Sequence, residues 1–246
     1  MANDLSGRIA LVTGAASGIG RASALAFAAA GASVALVDID GGGLERTAKD
    51  VHAAGREAEV ITADVTDLDA MADAVERTVA RFGRLDAAHN NAGVAGPYLP
   101  LDEYPADEFL RVIQVDLIGV WHCMRAEIAQ MRRQGSGAIV NTSSMLGAAA
   151  MPDNGPYVAA KHAVNGLTRT AALELGAAGI RVNALAPGVT RTGMTSTVSD
   201  DLLRAVPMNR IAEPDEIAAA AVWLCSPQAS YITGAVLVAD GGWLAG

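Results

Sequence analysis

The chain has 246 residues, 51% of them hydrophobic, which is ample for a sizeable core and excludes a disordered chain. A formal net charge of -9 and a pI near 4.8 argue against a nucleic-acid partner, because binding phosphates needs clustered Lys and Arg to release counterions. Apolar runs such as residues 217–225 fall well short of the roughly 20 residues that cross a bilayer, despite a mean hydropathy of +0.27.

Residues 1–8 show no secretory-signal pattern, and Cys123 and Cys225 stand far apart, so the expected setting is cytoplasmic, with no membrane partner, no disulfide framework and no metal site. An apolar run at 8–12 predicts the first strand, and a small-residue amphipathic pattern at 18–30, ending at Gly31, predicts the first helix. Further strands are expected at 33–38, 58–62, 85–90, 138–142, 181–186 and 235–239, and further helices at 44–54, 68–82, 106–134, 157–175 and 214–225. Seven strands alternating with helices indicate a Rossmann-type α/β fold, a doubly wound parallel sheet, since parallel neighbours need helical crossovers on the sheet faces. Residues 1–246 read as a single domain, with 188–207, rich in Thr and Ser, as a substrate lid over the carboxyl ends of the strands. Aromatic residues make up only 4%, so packing must run through Ala and Gly. The apolar character of this acidic chain predicts an oligomer that hides part of its surface.

The first strand runs into Thr13-Gly-Ala-Ala-Ser-Gly-Ile-Gly20 and then a helix. Gly14, Gly18 and Gly20 permit a tight turn and close approach of the backbone to a pyrophosphate, and the helix N-terminus at Ser17, Gly18 and Ile19 offers free N–H groups. Asp38, ending the second strand, sits where a carboxylate accepts the ribose hydroxyls of adenosine and repels a 2′-phosphate, which favours NAD over NADP. An Asp at a strand end is also an ordinary turn former. Asp64 and Val65 after the third strand have the same ambiguity, and Asn90-Asn-Ala-Gly93 brings Asn91, Ala92 and Gly93 to the fourth strand end.

Tyr157 and Lys161 are four apart on a helix and share a face, and Ser144 follows the fifth strand. Alone, that spacing also describes a surface tyrosine stacked on a lysine stem. Of the 18 basic residues, however, 16 are Arg and only Lys49 and Lys161 are Lys, so a compact ammonium is kept at this position in a chain that otherwise uses guanidinium.

Together, Thr13 to Gly20, Asp64-Val65, Asn90 to Gly93, Ser144, Tyr157-Val-Ala-Ala-Lys161, Pro187-Gly188 with Thr192, and Asp240-Gly-Gly242 resemble the short-chain dehydrogenase/reductase family, essentially end to end. The resemblance implies a catalytic set in which Tyr157 is the general acid/base, Lys161 binds the nicotinamide ribose and lowers the phenol's pKa, and Ser144 orients the substrate oxygen. It also implies that Pro187, Gly188, Val189 and Thr192 hold the nicotinamide end, and that the protein is a homotetramer, or a homodimer, joined through its long helices. The family has Asn where this chain has Asp116, in Val115-Asp116-Leu117-Ile118-Gly119; there that residue helps hold a water linking the lysine to solvent, largely through its backbone carbonyl, so the resemblance implies that Asp116 joins the catalytic set and keeps the relay, with an altered pH profile.

The implied activity is NAD-dependent interconversion of a secondary alcohol, of the cyclic-alcohol or diol kind, and its ketone. The alternatives are a 3-oxoacyl thioester reductase, disfavoured because Ser17 stands where those enzymes carry a basic residue, and a non-catalytic dinucleotide sensor. Substrate contacts are expected from Val94, Leu146, Asn154 and Met194, a mostly apolar set without a cation for a carboxylate or phosphate, which suits a neutral small molecule.

Overall fold

The computed structural model describes residues 4–195 and 204–246. Its strands are β1 (Ile9–Thr13), β2 (Ser33–Asp38), β3 (Ala58–Thr62), β4 (Ala87–Asn90), β5 (Gly137–Thr142), β6 (Ile180–Pro187) and β7 (Val236–Ala239). They form one sheet in the order β3-β2-β1-β4-β5-β6-β7, with every adjacent pair parallel. The helices are α1 (Gly18–Ala29), α2 (Gly41–Ala53), α3 (Leu68–Phe82), α4 (Ala106–Ile113), α5 (Val120–Gln134), α6 (Gly155–Leu175) and α7 (Pro214–Cys225). This is the doubly wound fold expected from the alternation of elements.

Alternate strand residues face opposite sides and build two cores. On one side Val12, Leu36 and Val140 meet Phe27 of α1, Leu44 of α2 and Ile217 of α7. On the other, Leu11, Val37 and Ile139 meet Met71 of α3, Met131 of α5 and Leu175 of α6. Each such side chain, withdrawn from water, contributes about 1.5–3 kcal/mol. Because both faces are covered, the central strands read as continuous apolar runs rather than alternating ones.

Several expected bounds shift by one to three residues, α2 starting at Gly41 rather than 44, and three differences have a clear local reason. The fourth strand begins at Ala87 rather than 85, since the Gln134 side chain takes both backbone groups of Leu85, accepting from its N–H at 2.9 Å and donating to its carbonyl at 2.7 Å. The helix expected over 106–134 is helical throughout but contains a π turn, Gln114–Gly119. Helix α6 starts two residues earlier, at Gly155, with Pro156 in its first turn, where a missing N–H costs nothing. Of the expected lid at 188–207, residues 196–203 lie outside the described residues.

Strand order reverses direction between β1 and β4, whose connections leave toward opposite faces. A crevice therefore opens at the carboxyl ends of these two strands, the place where such folds bind ligands.

Candidate active site

The turn after β1 is held from several directions. Gly14 and Gly18 have φ of +68° and +51°, in the left-handed region open to glycine. A Cβ on Gly20 would run into the Gly14 carbonyl, so the third glycine is what lets α1 enter so close to β1. Buried Thr47 donates to the Ala15 carbonyl at 2.9 Å. The Thr13 hydroxyl accepts from the N–H groups of Asn91 and Ala92 at 3.0 and 3.1 Å, tying β1 to the end of β4.

Asp38 is locked onto the same turn. One carboxylate oxygen accepts from Ala16 N–H and the other from Asp40 N–H, both at 3.0 Å, and each keeps further acceptor capacity for a hydroxyl. Ser17 and Gly18 of the turn line the cleft together with Asp38 and Ile39.

The crevice has a volume of about 800 Å³. It runs from Asp38 past Gly14, Gly18, Ile19 and Ser17, with Asp64, Val65, Asn91, Ala92 and Gly93 along one side. Its far end is formed by Ser144, Tyr157, Lys161 and Asp116, with Pro187, Gly188 and Thr192 opposite. Val94 and Met194 of the expected substrate set line it, whereas Leu146 and Asn154 are buried and do not form its wall, and neither do Gly20 and Val189. The Val189 carbonyl is taken by Ala212 N–H at 2.9 Å.

Arg111 and Gln114 also line the cleft, which the sequence reading missed. Their spacing with Val115 on one helical face was the available signal. A cation does therefore reach the cleft wall, contrary to the expectation of none. Arg111 is engaged by Glu108, with N–H donors at 2.8 and 3.0 Å from one carboxylate oxygen.

At the far end, Lys161 is 3% exposed and its ammonium lies 3.1 Å from Asp116 Oδ2, 3.1 Å from the Thr142 carbonyl and 5.3 Å from the centre of the Tyr157 ring. Ser144, buried at the entry to a short 3-10 turn, accepts from Leu146 N–H at 3.1 Å and acts to lower the pKa of Tyr157. Four residues that lie far apart in sequence, on the π turn, after β5 and on one face of α6, thus converge on one corner of the crevice.

Burial opposes the pull of Lys161, which acts to lower the phenol's pKa, in the direction the resemblance implies. In the protein alone the Tyr157 pKa is raised: burial pushes it up, Asp116 adds to this, and the pull of Lys161 and Ser144 does not fully compensate. For Lys161, burial favours loss of the proton, but Asp116 and Tyr157 outweigh it and lift the pKa above the ordinary value.

The residues present fit a dinucleotide. The glycine cradle admits no side chain where a pyrophosphate would lie, α1 presents unpaired N–H groups and the positive end of its dipole there, and Asp38 offers acceptors at the adenosine end. The Lys161 ammonium donates to the Thr142 carbonyl and is ion-paired with Asp116, and among the described residues it keeps donor capacity for a ribose hydroxyl. Among the described residues no helix is long and apolar enough to cross a membrane, and no cluster of potential metal ligands occurs.

Such a crevice defines an α/β oxidoreductase of the kind that works with a nicotinamide dinucleotide. Comparison with known proteins narrows the class. A family model described as enoyl-(acyl carrier protein) reductase matches residues 14–244. The chain is 46% identical to A-factor type gamma-butyrolactone 1'-reductase (1S-forming) of Streptomyces virginiae, over 97% of this chain and 96% of the relative. It is 43% identical to cis-4-hydroxycyclohexanecarboxylate dehydrogenase of Sinomonas cyclohexanicum, over 97% of both chains. The crystal structure of NAD+-bound xylitol dehydrogenase superposes with a TM-score of 0.93 at 35% identity, covering 97% of this chain and 99% of the other. The chain belongs to the short-chain dehydrogenase/reductase family.

Proposed function

We propose that the protein is an NAD-dependent oxidoreductase that interconverts a secondary alcohol, of the cyclic-alcohol or diol kind, and its ketone. The observation that carries this reading is the buried Lys161 ammonium beside the Tyr157 ring and Ser144, where the glycine-lined crevice ends. A bound nicotinamide would supply hydride exchange.

The protein's own groups handle the proton. In the oxidation direction the Tyr157 phenolate accepts the hydroxyl proton of an alcohol whose oxygen also bonds to Ser144 Oγ. In the reduction direction the Tyr157 phenol gives its proton to the carbonyl oxygen while Ser144 and Lys161 stabilise developing negative charge. Met194 and Val94 supply apolar surface for a neutral substrate. The named activity of the Sinomonas relative on a ring alcohol supports the substrate class, and Asp38, held by two backbone amides at the adenosine end, supports NAD.

The test is to follow nicotinamide reduction with NAD+ or NADP+ and a panel of cyclic alcohols, diols and 3-hydroxyacyl thioesters. The expected result is turnover of a ring alcohol with NAD+, reduced by a factor of about 100 or more in Tyr157→Phe, the usual contribution of a positioned acid/base. Preference for NADP+ or for the thioester would overturn the reading, as would tight NAD+ binding without turnover.

A further inference from the structure

The side chain of Asp116 does something an amide cannot. It is fully buried on the π turn and faces two groups at once: Oδ1 accepts from Val94 N–H at 2.8 Å, while Oδ2 is ion-paired with the Lys161 ammonium at 3.1 Å. An amide has a single acceptor oxygen. In its place, Asn would keep the Val94 bond and turn an NH2 toward the ammonium, or keep the lysine and abandon Val94.

The site is shaped around the carboxylate. Gly93 comes so close that a Cβ there would lie 3.2 Å from Asp116 Oδ2, and the π turn Gln114–Gly119 changes the helical register where Asp116 sits. The result is a three-member chain, a buried carboxylate and ammonium beside a half-buried phenol, in which the ammonium's charge is balanced by a neighbour that touches neither substrate nor cofactor in the reading above.

We propose that Asp116 is a positioning residue that acts as the internal counterion of Lys161, setting the working pH window of Tyr157. Two effects follow from one ion pair. The carboxylate holds Lys161 protonated at alkaline pH, where a buried unpaired lysine would lose its proton. It also cancels part of the pull that Lys161 exerts on Tyr157, so the phenol ionises later. Both effects move the window in which Lys161 is charged and Tyr157 is ionised toward higher pH. The direction for each group is in keeping with this: burial and Asp116 raise Tyr157, and Asp116 keeps Lys161 high against its burial.

The other titratable groups that face the chain are few. Tyr98, in the loop after β4, acts on Tyr157 in the same sense as Asp116. Arg111, on α4 just before the π turn, interacts electrostatically with Asp116 but is itself paired with Glu108, and Tyr104 lies near that pair. None of them touches the Lys161 ammonium, whose partners among the described residues are Asp116 and Thr142.

This inference rests on the oxidoreductase reading for its kinetic consequence but not for its titration. The experiment compares the wild type, Asp116→Asn, Asp116→Glu and Tyr157→Phe without cofactor, following phenolate absorbance against pH, the phenylalanine variant assigning the Tyr157 step. Asp116→Asn is expected to move that step to lower pH and Asp116→Glu to leave it near the wild-type position. In the alcohol assay, Asp116→Asn is expected to be about tenfold faster than wild type on the acid limb, one pH unit's worth of phenolate, and to gain a falling limb at high pH as Lys161 deprotonates. Should Asp116→Asn fail to fold, Asp116→Ala, which admits water beside Lys161, carries the same expectation. An unmoved Tyr157 step, or a shift to higher pH, overturns the counterion role even if turnover is intact. A shifted step in a protein that turns over no alcohol upholds it and overturns the function instead.

Discussion

Lys161 gives up hydration for two fixed partners and a neighbouring aromatic ring, an arrangement tolerable only because Asp116 shares its burial. A second buried carboxylate has no such cation among the described residues. Glu127 of α5 is fully buried, accepts from the Asn90 side chain at 3.0 Å, and has its pKa raised to about 7 by burial. Its unfolded counterpart ionises near 4.5, so between that pH and about 7 the folded protein holds a proton that the unfolded chain has lost. Stability on this account is intact below 4.5 and declines as pH rises through the interval, by about 3 kcal/mol in all. Glu127→Gln, whose amide oxygen still accepts from Asn90, is expected to melt higher than wild type at pH 8 with the difference vanishing near pH 4; a constant difference across chemical or thermal melts at both ends would refute the proton account. His89 works in the opposite sense. Burial lowers its pKa to about 4, so as pH falls from 6.5 the unfolded ring takes up a proton that the folded one refuses, and stability declines toward acid.

At the scale of elements, the crevice depends on how closely α1 can approach β1. The separation is set by missing side chains at Gly14 and Gly20 and by Ala22, Ala24 and Ala28 on the buried face of α1. Gly20→Ala is expected to destabilise the fold by about 1–3 kcal/mol, the range for an overpacked methyl, and to weaken NAD+ binding, read by melting and by calorimetric titration. Unchanged affinity would mean that the turn relaxes without moving the N–H groups that face the cleft. The glycine spacing and the helix that follows it were legible in sequence because tight turns and helix entry are local problems, solved by local residues. The π turn was not. An extra residue in a helical turn leaves no mark in hydrophobic periodicity, and its reason, the meeting of Asp116 with Lys161 and Val94, lies in groups up to 45 positions away in the chain.

For the molecule as a whole, the surface carries large apolar side chains on the long helices: Leu110 is 65% exposed, Trp121 41% and Leu173 88%. These side chains, on α4, α5 and α6, support the expected homo-oligomer. Sedimentation of the wild type is expected to show a dimer or tetramer, and Trp121→Glu with Leu173→Glu to shift it to a smaller species; a monomeric wild type would remove the idea.

The order of elements, the parallel sheet and the glycine turn were determined by sequence alone, because periodicity and turn chemistry act over a few residues and right-handed crossovers leave little choice of topology. Membership of Ser144, Tyr157 and Lys161 in one site could be named from their spacing and their match to a family. Tertiary structure alone decided that Asp116 pairs with Lys161, that Arg111 reaches the cleft, and that Leu146 and Asn154 do not form its wall. These outcomes depend on distance and solvent exclusion between groups on separate elements, and neither quantity exists until the elements pack.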